Sequence, residues 1–179
     1  MERGILMNEV LNCLETRRSV RKYLPQQITQ AELDAILKAG TCAPTAMNRQ
    51  SPKIVVLQKP EDIAQLERMN AAVLGNPEAK PFYGAPTVCV VLADAGMPTG
   101  VEDGSLVMGN LMNAAHALGI GSCWIHRARE EFASEEGKAL LKKWGIEGEW
   151  IGIGHCILGY PDGEPAPAKP RKPDYIVKV

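Results

Sequence analysis

Four apolar runs along the chain have the length and composition of β-strands. They cover residues 53–58, 87–93, 121–125 and 149–158. Each is shorter than a typical helix, and the first two are rich in the β-branched residues that favour strands. The run at 87–93 is apolar at nearly every position, so we expect a central strand that is covered on both faces.

Five other segments place apolar residues three and four positions apart, which predicts helices. These segments are residues 8–16, 29–40, 60–69, 103–118 and 134–144. Thr29 and Glu32 have the spacing of a capping box, in which each side chain bonds the backbone amide of the other residue. The glycines and prolines of residues 70–86 predict a loop or lid with little regular structure.

This mixture of helices and strands predicts an α/β or α+β sandwich. A chain of 179 residues is long enough for a single domain, residues 1–179, that buries roughly 70% of its unfolded surface. No G-x-G-x-x-G follows the first strand and no G-x-x-x-x-G-K-[ST] occurs. We therefore expect neither a Rossmann dinucleotide site nor a P-loop nucleotide site.

The charge balance and hydropathy argue against several classes of partner. The chain carries 20 lysines and arginines against 21 aspartates and glutamates. Its pI of about 6.3 gives no support to nucleic-acid binding. No apolar run approaches the ~20 residues of a membrane span. Residues 1–7 are too short and too polar for a signal peptide.

The five cysteines indicate a reducing compartment. Their number is odd, no two are spaced as C-x-x-C, and Cys89, Cys123 and Cys156 lie in apolar runs, where a thiol packs as a small hydrophobe. The three histidines are scattered along the chain without the spacing of metal ligands. We therefore expect a cytoplasmic protein with no disulfide framework and no metal site.

Residues 17–21 concentrate three cations and a hydroxyl, from Arg17, Arg18, Ser19 and Arg21. Side chains at 17, 19 and 21 share a face if the backbone is extended, and those at 17 and 21 are neighbours on a helix. Either arrangement suits an anion with several oxygens, such as a phosphate, because guanidinium groups pair with it in a bidentate manner. The alternative is a solvated basic helix end that offsets the helix dipole.

Residues 43–52 form a second candidate site, because they connect a helix to a strand, where binding loops commonly lie. The segment is small and polar and contains Pro44 and Pro52. Asn48 and Gln50 can each donate and accept hydrogen bonds, so the loop could bind the polar edge of a flat heteroaromatic ring. The alternative is an ordinary connection whose amides cap the flanking elements.

Two shorter segments add candidate chemistry. Lys169 and Arg171 project to the same side of an extended, proline-rich tail and could meet the same phosphate as residues 17–21, although a solvated basic tail is the alternative. At 124–127 an apolar strand gives way to His126 and Arg127. His126 could donate a proton near neutral pH, or could be a hydrogen-bonded turn residue.

The sequence contains no recognisable nucleophile motif. There is no G-x-S-x-G, no cysteine and histidine in a known family pattern, and no pair of carboxylates with an obvious acid and base division. An enzyme whose side chains supply no reactive group usually depends on a bound cofactor for its reaction.

Taken in order, these segments resemble the FMN-dependent nitroreductase family. The resemblance rests on R-R-S-x-R-x-Y at 17–23, A-P-T-x-x-N-x-Q at 43–50, L-G-x-G-S-C-W-I at 118–125, G-Y-P at 159–161 and K-x-R at 169–171. Each motif is weak alone, whereas their ordered combination is specific and covers nearly the whole chain. The resemblance implies an α+β sandwich, with a central, mostly antiparallel sheet flanked by helices. It also implies an intertwined homodimer with FMN at the subunit interface and the helix from Asp103 in the dimer core.

The resemblance further implies roles for individual residues around FMN. Arg17, Arg18, Ser19 and Arg21 would hold the phosphate and ribityl chain, and Lys169 and Arg171 would close on the same phosphate. Pro44, Thr45, Ala46 and Asn48 would come from the second subunit and lie against the isoalloxazine ring, while Trp124, Ile125 and His126 would face the ring near N5. His126 and Arg127 would line the substrate pocket, and Lys80 is a weak candidate for stabilising the reduced ring. No residue is assigned as catalytic, because FMN carries the chemistry.

The function implied by the resemblance is an FMN-dependent oxidoreductase with a ping-pong mechanism. NADH or NADPH would deliver a hydride to flavin N5 and leave, and a nitroaromatic, a quinone or an unsaturated carbonyl compound would then take the electrons. One alternative is a flavin store or redox sensor without efficient turnover. Another is a family member that degrades flavin or removes a halogen.

The chain departs from the family pattern at two places. Many relatives have Q-P-W where this chain has Gln50-Ser51-Pro52, so an aromatic contact is lost. His126-Arg127 stands where relatives have small glycines, which would narrow or polarise the substrate pocket. The chain is also short for the family, so we expect no inserted helical segment over that pocket.

Overall fold

The strand at 87–93 lies in the interior of a four-stranded antiparallel sheet in the computed structural model, which describes residues 8–179. The strands are β1 (Lys53–Leu57), β2 (Thr87–Asp94), β3 (Gly121–Ile125) and β4 (Trp150–Gly159), in the spatial order β1-β2-β4-β3. Residues 87–93 are all buried, which confirms a central strand covered on both faces. All four predicted strands are present.

Six α-helices surround the sheet in the described part of the chain. They are α1 (Glu9–Thr16), α2 (Gln30–Thr41), α3 (Pro60–Val73), α4 (Gly100–Ala117), α5 (Ala128–Ala133) and α6 (Glu135–Lys143). Five of them correspond to predicted helices. The sequence pattern did not predict α5, because its six residues are too few to show a helical period.

The prediction of irregular structure from residue 70 is wrong at its start. Helix α3 continues to Val73 and stops before Gly75, whose φ of 76° is a left-handed conformation that glycine adopts freely. The following segment consists of turns, but it is not an exposed lid throughout, because Phe82 is 1% exposed and Ala85 is buried as well. This segment is therefore anchored in the core.

The alternation of side chains along β2 divides the core into two layers. Val88, Val90 and Leu92 pack on one face of the sheet with residues of α3, α5 and α6. Cys89 and Val91 pack on the other face with residues of α2 and α4. This arrangement of helices, sheet and helices confirms the α+β sandwich.

Small residues let helix α4 approach its neighbours closely. A Cβ atom added at Gly104 would lie 2.7 Å from Cγ1 of Ile153 in β4, and one at Gly40 in α2 would lie 2.7 Å from Cδ2 of Leu111 in α4. Both distances are shorter than real carbon contacts, so a larger residue at either position would displace the neighbouring side chain. Helix α4 is thereby held between α2 and the sheet, beside the 43–52 loop.

The predicted capping box at the start of α2 is confirmed. The Thr29 hydroxyl accepts from the Glu32 amide at 3.3 Å, and the Glu32 carboxylate accepts from the Thr29 amide at 2.8 Å. The Tyr160 hydroxyl also donates to Glu32, at 2.7 Å. These hydrogen bonds, first that of the Thr29 side chain, lower the pKa of Glu32. They fasten the start of α2 to the end of β4.

Cys89, Cys123 and Cys156 are buried, as the sequence predicted, and burial raises the pKa of the Cys89 thiol to about 12. Within residues 8–179, no helix is long and apolar enough to cross a membrane. The expectation about a signal peptide concerns residues 1–7, which lie outside the described residues.

Candidate functional site

The basic segment lies beside the edge strand β3. Helix α1 ends at Thr16, and the chain then runs alongside β3, where the Val20 amide donates to the Ser122 carbonyl at 2.9 Å. Ser19 and Ser122 form a parallel bridge. Farther along, the Leu24 amide donates to the Tyr160 carbonyl at 2.9 Å. Residues 17–24 therefore pass from the start of β3, at the opposite end of that strand from the turn at 126–127, to the end of β4.

Arg17 and Arg18 have different environments, although the family resemblance implies the same role for both. Nη1 of Arg18 donates to the carbonyl oxygens of Glu15 and Arg17, at 2.8 and 2.7 Å, so this guanidinium folds back on its own backbone. Nη1 of Arg17 is buried and has no hydrogen-bond partner among the described residues. A buried charged donor without a partner is costly, so this nitrogen is available to bind an anion.

Two further groups lie beside the basic segment. The Ser122 hydroxyl, on the strand that bridges to Ser19, is also buried without a partner in residues 8–179. His116, in the last turn of α4, forms a 2.8 Å hydrogen bond with the Thr16 hydroxyl. Its pKa is lowered first by burial and then by the positive charges of Arg17 and Arg18. This region combines orphaned donors with positive potential, which is what an anion requires.

The C-terminal tail starts beside the basic segment. Lys22 forms an ion pair with Asp162 at 2.7 Å, and a shallow cavity of about 230 Å³ lies between residues 19–22 and residues 162–166. Lys169 and Arg171 are exposed, and neither makes a side-chain hydrogen bond or ion pair within the described chain. The structure thus brings Ser19 and Arg21 together with the beginning of the tail, but not with its two predicted phosphate ligands.

The loop at 43–52 has a constrained backbone. Ala46–Asn48 form a 3₁₀ turn, and Met47, Asn48 and Gln50 have φ values of 53°, 54° and 52°. Left-handed conformations are unfavourable for residues with a side chain and concentrate at functional sites. The loop is held by the Asp103 carboxylate, which accepts from the Ala46 amide at 3.1 Å, and by the Thr45 hydroxyl, which accepts from the Gln50 amide at 3.0 Å.

This loop presents an open surface. Met47 is 78% exposed, and a cavity of about 360 Å³ lies beside the loop, lined by Leu37, Ala43, Thr45, Gln50, Ile54 and Val107 among others. Pro44 and Asn48 are exposed, while Ala46 is half-buried. The amide of Gln50 donates to the Asn48 side chain at 3.1 Å. The two polar side chains that the sequence singled out are therefore adjacent and pre-organised.

The turn after β3 is held from behind by helix α3. Strand β3 ends at Ile125, His126 is exposed, and Arg127 has a φ of 81°. The amide nitrogen of Asn70 donates to the His126 carbonyl at 2.8 Å, and its oxygen accepts from Nε of Arg127 at 2.9 Å. The predicted pocket residues His126 and Arg127 are thus fixed by a residue that the sequence placed in a loop.

Asn70 belongs to a buried polar cluster. It also donates to Glu131, whose other carboxylate oxygen lies 2.7 Å from Nε2 of His155. These three side chains are between 0% and 1% exposed. Lys80, the weak candidate for the reduced ring, is exposed and lies 3.9 Å from the Glu67 carboxylate.

Sequence reasoning missed four residues that shape these sites: Ser122, Asp103, Asn70 and Glu131. Ser122 lies within the L-G-x-G-S-C-W-I motif, where the apolar pattern indicates a strand but assigns no role to the serine hydroxyl. The other three are polar residues on helices with apolar neighbours, and polarity within an otherwise apolar face is a signal of a buried bond. Their partners lie 56 to 61 residues away along the chain, which no local pattern reveals.

Known proteins share this architecture over nearly the whole chain. A protein of Archaeoglobus fulgidus with the provisional name NADH dehydrogenase/NAD(P)H nitroreductase is 33% identical over 160 residues, which are 88% of each chain. The crystal structure of a Bacteroides fragilis nitroreductase with bound FMN has a TM-score of 0.88 and 29% identity, covering 97% of this chain and all of the other. A Desulfitobacterium hafniense nitroreductase with bound FMN has a TM-score of 0.86 and 26% identity, with the same coverage.

A sequence model of the nitroreductase family matches residues 14–160. The match includes the basic segment, the 43–52 loop, the turn after β3 and all four strands. The chain therefore belongs to the nitroreductase family.

Proposed function

We propose that this chain moves electrons from NADH or NADPH through FMN to a small oxidised acceptor, such as a nitroaromatic or a quinone, by a ping-pong mechanism. Family membership makes the chain an FMN-dependent NAD(P)H oxidoreductase. The relative from Archaeoglobus fulgidus is named for NAD(P)H, and the Bacteroides fragilis protein binds FMN. The acceptor and the order of the two half-reactions are our proposal.

The single observation that carries the proposal is the buried guanidinium nitrogen of Arg17, which has no partner within residues 8–179. The phosphate of FMN carries about −1.5 to −2 charges near neutral pH and offers three acceptor oxygens. Arg17 supplies the buried charge, and Ser19 and Arg21 lie on the segment that follows it. The orphaned Ser122 hydroxyl can bond the phosphate or the ribityl chain. The residues present therefore fit FMN at this position.

The remaining predicted contacts with the ring come from both subunits. One edge of the ring would be held by Trp124 and Ile125, at the end of strand β3, and by His126, which follows it. The ring would be covered by Pro44, Thr45, Ala46 and Asn48 of a second copy. Lys169 and Arg171 of the C-terminal tail would close on the phosphate once the dimer and the cofactor are in place. When bound, FMN supplies the redox chemistry, by taking a hydride from the nicotinamide and passing electrons to the acceptor.

We also propose that the chain is a homodimer. Helix α1 has no buried residue, and its apolar side chains Val10 and Leu14 are 67% and 52% exposed. A groove of about 450 Å³ lies between α1 and α4, and Leu106 of α4 is 47% exposed. Exposed apolar surface of this kind marks an interaction site. A second copy would bury it and bring the 43–52 loop to the other subunit's FMN.

Two further expectations from the sequence remain proposals: a single FMN-binding domain over residues 1–179, and a cytoplasmic location. The alternative function is a flavin store or redox sensor. It shares the FMN site but predicts that NADH and NADPH reduce the bound flavin slowly or not at all.

The first test is binding of FMN to the purified protein. Titration of the FMN-free protein into FMN should quench flavin fluorescence to a stoichiometry of one FMN per chain. A protein that is colourless when purified and leaves the fluorescence of added FMN unchanged would contradict the proposal.

A further inference from the structure

Asn70 holds both residues of the predicted acceptor pocket. Its side-chain nitrogen donates to the His126 carbonyl, and its oxygen accepts from Nε of Arg127. The residue lies in α3 and is 0% exposed. It reaches the turn across 56 positions of sequence, so it is a tertiary clamp on this turn rather than a local cap.

The orientation of the Asn70 amide follows from the chemistry of its neighbours. A guanidinium can only donate, so the atom facing Nε of Arg127 must be the oxygen. A carbonyl and a carboxylate can only accept, so the atom facing His126 and Glu131 must be the nitrogen. Every hydrogen-bonding position of this side chain but one acceptor lone pair is thereby used, and a flipped amide would lose all three bonds.

Glu131 and His155 fix Asn70 in turn. The Glu131 carboxylate accepts from Asn70 with one oxygen and pairs with Nε2 of His155 through the other. The His155 ring is enclosed by Phe82 at 5.2 Å and Phe132 at 6.3 Å between ring centroids. Both oxygens of the Glu131 carboxylate are therefore engaged, one by Asn70 and the other by His155.

Arg127 therefore keeps its positive charge without an ion-pair partner. Its φ of 81° is unusual for a long side chain and persists only where neighbouring groups enforce it. Only Nε is hydrogen-bonded, and no carboxylate lies within 4.0 Å of this guanidinium among residues 8–179. The two terminal nitrogens, on a half-buried side chain, remain available to a ligand.

We propose that Asn70 is a positioning residue that holds Arg127 ready to bind the carboxylate of an anionic acceptor. This inference rests on the proposed function, which places the turn beside the flavin. The chemical class it selects is a flat, oxidised molecule that carries a carboxylate, such as a nitrobenzoate. Two parallel N–H donors suit a carboxylate, and the bond from Nε to Asn70 removes the freedom that the arginine would otherwise lose on binding.

Binding of an unreactive carboxylate tests this without turnover. Benzoate and benzamide are titrated calorimetrically into the FMN-loaded protein, since they have similar shapes but differ in charge. We expect benzoate to bind about tenfold more tightly, because its carboxylate can form charged hydrogen bonds with Arg127. Arg127→Ala should abolish the difference, and Arg129→Ala, at a neighbouring exposed arginine, should leave it unchanged.

Asn70→Ala tests the positioning role. It should lower the preference for benzoate at least threefold although Arg127 is still present, and the Asn70→Ala/Arg127→Ala double variant should match Arg127→Ala alone. Arg127→Lys tests the guanidinium without a change in the core, because it keeps the charge but lacks both Nε and the two parallel donors. It should lose most of the preference. Wild-type discrimination in either Asn70→Ala or Arg127→Lys would overturn the proposal.

Kinetics with two acceptors separates this inference from the proposed function. The ratio of kcat/KM for 4-nitrobenzoate over nitrobenzene should exceed ten in the wild type and approach one in Arg127→Ala, with KM carrying most of the change. A protein that reduces both acceptors equally well refutes the inference alone. A protein that binds FMN but reduces neither with NADH or NADPH refutes the proposed function.

Discussion

The carboxylate of Asp103 accepts a hydrogen bond from the backbone amide of Ala46 at 3.1 Å. This bond fastens the left-handed 43–52 loop to the first turn of α4, and the second carboxylate oxygen accepts from the Thr99 hydroxyl at 3.3 Å. The loop therefore takes its shape from a helix that follows it by more than fifty residues. The same helix carries the exposed Leu106 that we place at the dimer interface.

Replacing Asp103 should loosen the loop and weaken the protein. Asp103→Ala leaves the Ala46 amide without its acceptor, so we expect a loss of about 1–3 kcal/mol in the free energy of unfolding, measured with urea, and weaker FMN binding. Glu102→Ala is the matched control, since Glu102 is adjacent but exposed. Equal effects of the two substitutions would show that the bond has no special role.

The two adjacent arginines should differ in their contribution to FMN binding. Arg17→Ala removes an unpaired buried donor and should weaken FMN binding about 10- to 100-fold, as expected for a charged hydrogen bond. Arg18→Ala should have a smaller effect, because Nη1 of Arg18 is occupied by two backbone carbonyls. Fluorescence titration measures both constants. If Arg17→Ala binds FMN with wild-type affinity, the assignment of the phosphate to this position is wrong.

The sequence predicted the elements that have strong local signals. The continuous apolar run at 87–93 predicted the central strand, and the Thr29 and Glu32 spacing predicted the cap of α2. It could not distinguish Arg17 from Arg18, because their difference lies in which backbone and side-chain groups surround each guanidinium. The clamp at Asn70 depends on contacts across 56 and more residues, for which a single sequence offers no spacing rule.

Protonation of His116 should report on the Arg17 site. Burial and the nearby arginines lower its pKa, so the folded FMN-free protein favours the neutral ring. This contribution to stability is present above the ordinary histidine pKa of about 6.5 and is lost as the pH falls through the lowered value. We expect the free energy of unfolding to decrease over that range, and less so in His116→Gln.

Binding of FMN should shift this titration in the opposite direction. A phosphate dianion held by Arg17 favours the imidazolium, so the His116 pKa should rise when FMN binds. Proton NMR of the histidine rings, with His116→Gln for assignment, measures this shift. A His116 pKa that is the same with and without FMN would place the phosphate elsewhere.

A charge on the exposed face of α1 should disrupt the dimer. Leu14→Asp puts a carboxylate on an apolar surface that is 52% exposed in the single chain, so a second copy could bury it only at a large desolvation cost. We expect sedimentation velocity to show a dimer for the wild type and a monomer for Leu14→Asp. Asn12→Asp is the control, because Asn12 is polar and exposed on the same helix. A monomeric wild type would contradict the proposed assembly.

The most direct test of the proposed function is rapid mixing of the FMN-loaded protein with NADH or NADPH in the absence of oxygen. Oxidised flavin absorbance should bleach within a single turnover and then return when a nitroaromatic or a quinone is added in a second mixing step. Each half-reaction should proceed without the other substrate, as a ping-pong mechanism requires. Bound flavin that neither NADH nor NADPH reduces at a useful rate would contradict the oxidoreductase and leave a flavin store or sensor.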